Sequence, residues 1–262
     1  MPKADLDGLT IVVTRPAHQA EGISQLIEAQ GGNALRFPVI DIQAPSDTAA
    51  LNALLRQLDR YHLAIFVSAN AVEFAYRALG HRLPESLSRA AVGQATAKAL
   101  ANHGQPAHWI SPAPYNSEAL LTMPEFNDVA GKRVIIFRGE GGREHLAETL
   151  KQRGAQVDYA ECYRRVAPDR DVTPLLAAWE AGRLHLIVIT SNEALHNLMA
   201  MVGDRHRQQL MATPLVVMSE RTAELARQQG FAAVTVAATA GDAALLAAIK
   251  QWAKISTQRE QA

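Results

Sequence analysis

Two stretches of this chain repeat each other in the same order, and that repeat limits the folds open to it more than any other feature. The segment IVVTRPAHQAEGISQLIEAQGG from Ile11 lies over VIIFRGEGGREHLAETLKQRGA from Val134, which puts Arg15 on Arg138 and Gly31 on Gly154. IFVSANAVEFAYRAL from Ile65 lies over IVITSNEALHNLMAM from Ile187, pairing Ser68 with Thr190 and Asn70 with Asn192. AVGQATAKALANHG from Ala91 lies over VMSERTAELARQQG from Val217, pairing Gly93 with Ser219 and Thr96 with Thr222. A fourth match sets Ser117 on Asp242, each read as an N-cap before Ala-Leu-Leu or its like. Four ordered matches at spacings of 122 to 126 residues point to a duplicated unit with its own layers of strand and helix.

Within each copy, short β-branched runs alternate with Ala/Leu-rich segments of helical period, punctuated by Gly, Pro and Ser. That is the pattern of βα units in a parallel sheet. The expected fold class is α/β: two flavodoxin-like, doubly wound parallel-sheet lobes, each of four or five strands, joined by a two-stranded linker. Two extended stretches, ALRFPVIDIQAP from Ala34 and QVDYAECYRRVAP from Gln156, close on Pro45 and Pro168 and read as paired strands or linkers. A tandem arrangement places the boundary near Gly131. An inserted arrangement joins the first unit to the chain after Pro168 and leaves the middle as the second lobe. The residues alone permit both.

Charge narrows the function. The 26 Lys and Arg balance 26 Asp and Glu, with no run of five or six like charges, so affinity built on neutralising many phosphates is excluded. No nucleic acid or membrane partner is expected, and any anion recognition must be local. Acidic Asp5 and Asp7 stand where a secretion signal needs a basic start, and no apolar run approaches the roughly 20 residues of a membrane span, so a cytoplasmic location is expected. The single cysteine, Cys162, forms no internal disulfide, and no His-x-x-x-His or HExxH spacing offers a metal site.

In open parallel sheets, ligands bind beyond the carboxyl ends of the strands, where helix starts present unpaired N–H groups. The candidate binding residues are those in the corresponding turns: Arg15, Ser68, Asn70, Gly93, Thr96, Arg138, Gly139, Gly141, Thr190, Ser191, Asn192, Ser219 and Thr222. Hydroxyls and bare amides suit a ligand with several carboxylates or phosphates; ordinary helix capping explains the same residues one at a time. The stretch Gly139-Glu140-Gly141-Gly142-Arg143 fails the dinucleotide fingerprint, because Glu144 stands at the third glycine, and it fails the P-loop for lack of GK[ST]. An anion-binding nest or a plain glycine turn remain as its readings. The histidines, among them His62, His185 and His196, show no triad spacing, GxSxG is absent, and Cys162 reads as a packing residue. Tyr163, in the second extended stretch, could turn a phenol into a cleft as a proton donor or serve as an aromatic wedge.

Taken in order, VTRPAHQA, FVSANAV, VGQATA, RGEGGRE, CYRRVAP, ITSNEAL and the Thr222 helix resemble the uroporphyrinogen-III synthase family over nearly the whole chain. The resemblance implies a cytoplasmic enzyme without cofactor or metal that closes linear hydroxymethylbilane into uroporphyrinogen III, inverting ring D and losing water. It implies an inserted arrangement, with one domain of residues 1–37 and 167–262, another of 40–162, and linker strands at about 34–43 and 157–167. It implies a catalytic role for Tyr163 and a cleft lined by Ser68, Thr96, Ser191 and Thr222. It also implies a monomer, with hydroxymethylbilane as small-molecule partner and a transient contact with the upstream deaminase. Asn70 and Asn192 stand where some relatives differ, and Ser219-Glu220-Arg221 replaces a Gly-Pro-type turn. A non-catalytic bilobal polyanion binder and a nucleotide-using transferase are the rival readings.

Overall fold

The computed structural model describes residues 5–260; the outermost residues of the expected first domain, 1–4 and 261–262, lie outside them. The chain opens with β1 (Thr10–Val13), α1 (Ala17–Glu28) and β2 (Asn33–Arg36). There follow β3 (Asp41–Gln43), α2 (Thr48–Leu55), β4 (Leu63–Phe66), α3 (Ala69–Leu79), β5 (Ser88–Ala91), α4 (Gln94–Asn102), β6 (Trp109–Ile110) and α5 (Ser117–Leu121). Next come β7 (Arg133–Gly139), α6 (His145–Gln152), β8 (Gln156–Val166) and α7 (Thr173–Glu180). The last third carries β9 (Leu186–Ile189), α8 (Asn192–Val202), α9 (Arg207–Ala212), β10 (Leu215–Val217), α10 (Glu220–Gln228), β11 (Val234–Val236) and α11 (Asp242–Glu260).

These elements form two units. One joins the chain up to Asp41 with the chain from Val166 onward; the other is Ile42–Arg165. The first holds a sheet of order β2-β1-β9-β10-β11, in which every printed pairing is parallel. Numbered within the unit this is 2-1-3-4-5, the flavodoxin-like order. The second sheet runs β3-β8-β7-β4-β5-β6, and from β8 to β6 it is parallel, with the repeat counterparts of β2, β1, β9, β10 and β11 in the same spatial places. The first extended stretch does not run unbroken. Pro38 has no N–H to give a ladder, β2 stops before it beside β1, and β3 then lies next to β8 in the other sheet.

Both faces of the second sheet are covered, and the period of two shows how. Leu63, Ile65, Val134 and Ile136 pack into one core, while Ala64, Phe66, Ile135 and Phe137 pack into the other. Such strands read as continuous apolar runs because neither face meets water. The Phe66 and Phe137 rings stack at 4.5 Å between centroids, tying the two central strands together. In the first unit Ile11, Val13, Leu186 and Val188 meet Ile23 and Ile27 of α1 and Leu245 and Ile249 of α11.

The helix caps correct two pairings read from the repeat. Ser68 accepts the Ala71 N–H, and Ser191 accepts the Ala194 N–H in the same geometry, so Ser68 corresponds to Ser191 and not to Thr190. By the same shift Asn70 does not correspond to Asn192, which instead opens α8 as Ala69 opens α3. The apolar residues on either side tolerate a slip of one position; a hydroxyl three residues ahead of the amide it caps does not. Likewise Ser117 is the first residue of α5, and Asn116 is its cap through the Ala119 N–H.

A buried polar knot holds the loop between α3 and β5. Gln105, 1% exposed, accepts from the Leu83 N–H and the Tyr76 phenol and donates to the Leu83 carbonyl. Gln105→Met preserves volume but strands those groups, so about 2–3 kcal/mol of stability should be lost, read as a lower urea midpoint at unchanged slope. Burial also pushes the Tyr76 phenol up to about 12, and burial with the Asp158 hydrogen bond does the same for Tyr61. The unfolded chain then sheds these protons first, near pH 10. The stability they add is complete below that pH and should be lost as pH rises towards 12, which an alkaline series of melts will show.

Candidate active site

The strand order reverses between β7 and β4 in the second unit, and a cavity of about 310 Å³ opens there beyond their carboxyl ends. Tyr163 lines it. The ring reaches this place through a break in register: Arg138 pairs with Glu161, but Gly139 pairs with Tyr163, leaving Cys162 as the extra residue of a β-bulge. Strict alternation would send Cys162 and Tyr163 to opposite faces. The bulge lets both enter the same core, with Tyr163 3% exposed.

Four residues surround the phenol. Its ring lies where a side chain on residue 139 would begin: a Cβ on Gly139 would stand 2.8 Å from ring atoms Cε2 and Cζ. Its oxygen is 3.2 Å from the hydroxyl of Ser68, the cap of α3, and Phe74 flanks the ring at 6.0 Å. Arg165, two residues along β8, places Nη1 3.5 Å from the same oxygen. Cys162, by contrast, gives its S–H to the carbonyls of Ala71 and Arg138, and burial pushes its thiol up to about 12, so it is a packing residue without thiolate character at neutral pH.

The glycine-rich stretch is a loop wired to its own side chains. Arg138 is buried; its Nε donates to the Gly141 carbonyl at 3.0 Å, its Nη1 to Glu144 at 3.1 Å, and its guanidinium lies over the Tyr159 ring at 4.4 Å. Gly142, at φ +116°, leaves room for that guanidinium, since a Cβ there would stand 2.9 Å from Nη2. Tyr159 donates to Glu144 at 2.6 Å; that bond, first, with Arg138 beside it holds the Glu144 carboxyl below the usual range, while burial and Glu144 push the phenol up to about 12. Glu140 accepts from the Ser46 N–H and hydroxyl. The Gly141 N–H is taken by Glu161, so of the two readings of this stretch, anion nest or glycine turn, the nest has this amide already filled by a carboxylate of the protein.

Of the residues expected in this unit, Tyr163, Arg138, Gly139 and Gly141 therefore meet at one cavity, and Ser68 joins through the phenol. Gly93 occupies the cap position of α4, where a Cβ would stand 4.0 Å from the Tyr115 Cβ, Asn70 lies in the first turn of α3, and Thr96 is buried. Arg143, in the glycine-rich stretch singled out from the sequence, also lines the cavity; sequence reasoning missed Arg165, Tyr159 and Tyr115 on its wall. Tyr115, 48% exposed and at φ +60°, had a local signal in its Pro-Tyr-Asn turn; the others became visible only once β7 and β8 were in register.

In the first unit, Thr190, Ser191, Asn192, Ser219 and Thr222 gather at the ends of β9 and β10. Thr222, 1% exposed, donates to the Asn192 side-chain oxygen at 2.9 Å; Ser219, which caps α10, therefore donates to Thr222 at 2.9 Å. Arg15 is ion-paired with Asp242 at the start of α11. Among the described residues no three His, Cys, Asp or Glu side chains gather as a metal site, and no helix is long and apolar enough to cross a membrane.

Residues 21–247 match the family model described as Uroporphyrinogen-III synthase HemD. The chain belongs to the uroporphyrinogen-III synthase family. It is 36% identical to the uroporphyrinogen-III synthase of Salmonella typhimurium over 253 residues, covering 92% of this chain and all of that one. It is 35% identical to that of Escherichia coli K12 over 250 residues, with the same coverage. Two solved structures share its fold: uroporphyrinogen-III synthetase from Helicobacter pylori, with TM-score 0.63 at 14% identity over 93% of this chain and 99% of that one, and a mutant Thermus thermophilus uroporphyrinogen III synthase, with TM-score 0.58 at 20% identity over 93% and 98%.

The close approach at residue 139 is directly testable. Gly139→Ala forces the Tyr163 ring or the bulge to move, which should cost about 1–3 kcal/mol in thermal or urea unfolding and lower turnover at the same time.

Proposed function

We propose that this chain converts hydroxymethylbilane to uroporphyrinogen III and that Tyr163 is the proton donor for the step that starts it. The chemistry begins when the C–O bond of the substrate's hydroxymethyl group breaks. The phenol gives its proton to the departing oxygen, which leaves as water, and the substrate becomes an electrophilic azafulvene. The ring D carbon that already bears a side chain attacks, giving a spiro intermediate that breaks and recloses with ring D inverted. The proton lost when the last pyrrole regains aromaticity restores the phenol.

One observation carries this reading: a phenol covered on its ring side, with its oxygen among hydrogen-bonding partners, lines the cavity at the strand-order reversal of the second unit. Family membership supports the enzyme over the non-catalytic binder. The substrate bears acetate and propionate carboxylates on its pyrroles, and Arg143 and Arg165 on the cavity wall supply local positive charge in a chain that is neutral overall. A cavity of about 310 Å³ suits one end of an extended tetrapyrrole, the end that carries the leaving group.

The remaining turns keep proposed roles as carboxylate contacts: Asn70, Gly93 and the backbone at Gly139 in the second unit, Arg15, Thr190, Ser191, Asn192 and Ser219 in the first. Thr96 and Thr222 act from beneath the surface, Thr222 by fixing Asn192 and Ser219. Positioning matters as much as acid catalysis here, because the bilane also closes unaided to the unrotated isomer. On the same reading the enzyme is a cytoplasmic monomer that receives its labile substrate in transient contact with the upstream deaminase.

Freshly made hydroxymethylbilane, with isomer analysis of the product, tests the proposal. The wild-type chain should yield isomer III, and isomer I alone would overturn the assignment in favour of a binder. Tyr163→Phe should reduce turnover by roughly ten- to a thousand-fold with an unchanged melting temperature; full activity would remove the phenol from the mechanism.

A further inference from the structure

We infer that Arg165 is the positioning residue of the Tyr163 phenol, aiming its proton into the cavity and holding the negative charge that develops when the proton leaves. The inference rests on the assignment of Tyr163 as donor and adds a partner that neither the repeat nor the turn chemistry singles out.

The donor and acceptor inventory around one oxygen supports it. A guanidinium has only N–H donors and stays charged at any working pH, so in the Arg165–Tyr163 contact the phenol oxygen must accept. That contact is 3.5 Å from Nη1, with the guanidinium carbon 5.9 Å from the ring centroid. The second neighbour, Ser68, already accepts the Ala71 N–H at 3.1 Å, which leaves its own hydroxyl proton free to point 3.2 Å away at the phenol. Arg165 can only donate; in the rotamer in which Ser68 donates as well, the single phenolic proton has no partner in this trio and turns to the cavity that Tyr163 and Arg165 both line.

Once the proton has moved to the leaving oxygen, the same two donors face a phenolate. The contact with Arg165 then becomes charge-assisted, shorter and stronger than in the resting enzyme. An interaction that strengthens along the reaction lowers the barrier, where one of constant strength would only tighten binding. The long resting distance fits this role, since catalytic hydrogen bonds commonly tighten only in the reacting complex. Geometry on β8 provides the placement. Residues 163 and 165 are two apart and so share a face, downstream of the bulge that turned Tyr163 inward. Arg165 is exposed, so replacing it removes no core contact.

Steady-state kinetics on Arg165→Gln, Arg165→Lys, Tyr163→Phe and the Tyr163→Phe/Arg165→Gln double variant test this, with melting temperatures as the control for folding. Arg165→Gln should lower kcat about ten- to a hundred-fold with KM changed less than about three-fold, and Arg165→Lys should recover part of the loss. In the Tyr163→Phe background, Arg165→Gln should cost no more than about two-fold, because the charge it answers no longer forms. A defect of Arg165→Gln that sits in KM and persists undiminished in the double variant would overturn the inference, making Arg165 a carboxylate contact independent of the phenol. Full activity of Arg165→Gln would also overturn it. Tyr163→Phe at wild-type turnover is a different failure: it removes the donor itself, and any Arg165→Gln defect then belongs to another role.

Discussion

A tyrosine ring rests against a backbone position that has no side chain, and the geometry of the second unit's site follows from that contact. The ring can lie on Gly139 only if residue 139 lacks a Cβ and if β8 has gained one residue relative to β7 at that level. The bulge supplies the extra residue, Cys162, and burial of its thiol against two carbonyls closes the core behind the ring. With the ring fixed, the phenol oxygen falls beside the cap of α3. Three elements distant in sequence, the end of β7, the bulge of β8 and the start of α3, thus converge on one atom. A shift of one residue in β8 would turn Tyr163 to the other face of the sheet.

The duplication explains why this happens in only one unit. Both sheets share one strand order, yet each is assembled from parts of both copies: β1 and β2 with β9 to β11, and β7 and β8 with β4 to β6. At the 123-residue offset that relates β1 to β7, the counterpart of Tyr163 is Ile40, and the counterpart of Gly139 is Pro16. Pro38 ends the first copy's strand before it could reach that level, and Ile40 is buried as an ordinary apolar residue. The two arginines that the repeat aligns have diverged as well: Arg15 pairs with Asp242 ahead of its last helix, whereas Arg138 holds a glycine loop together. One copy of the scaffold kept ordinary capping turns, and the other acquired a phenol.

Much of this was legible before any coordinates, and what was missed has specific physical causes. The parallel α/β class followed from apolar runs alternating with helical segments, and the candidate turns from the rule that ligands meet the carboxyl ends of strands. Gly139 and Tyr163 were both named from the sequence, but their mutual contact was not, because a β-bulge leaves no periodicity to read. Ser68 was aligned one residue away from its true counterpart, since apolar alternation is insensitive to a slip that a cap hydrogen bond detects at once. Arg165 escaped notice because it stands outside every turn, two residues past the tyrosine on a strand whose register was unknown.

Arg138 and Arg165 show how little residue type settles by itself. Both lie at the same cavity, and both carry a guanidinium near an aromatic ring. Arg138 is enclosed by Glu144, Glu161 and the Gly141 carbonyl, so its charge is compensated inside the protein before any ligand arrives. It shapes the loop from a buried position, with both carboxylates half exposed at the surface. Arg165 is exposed, and its Nη1 faces the phenol oxygen of Tyr163 at 3.5 Å. The fold buries one arginine to build the wall and sets the other, exposed, beside the phenol.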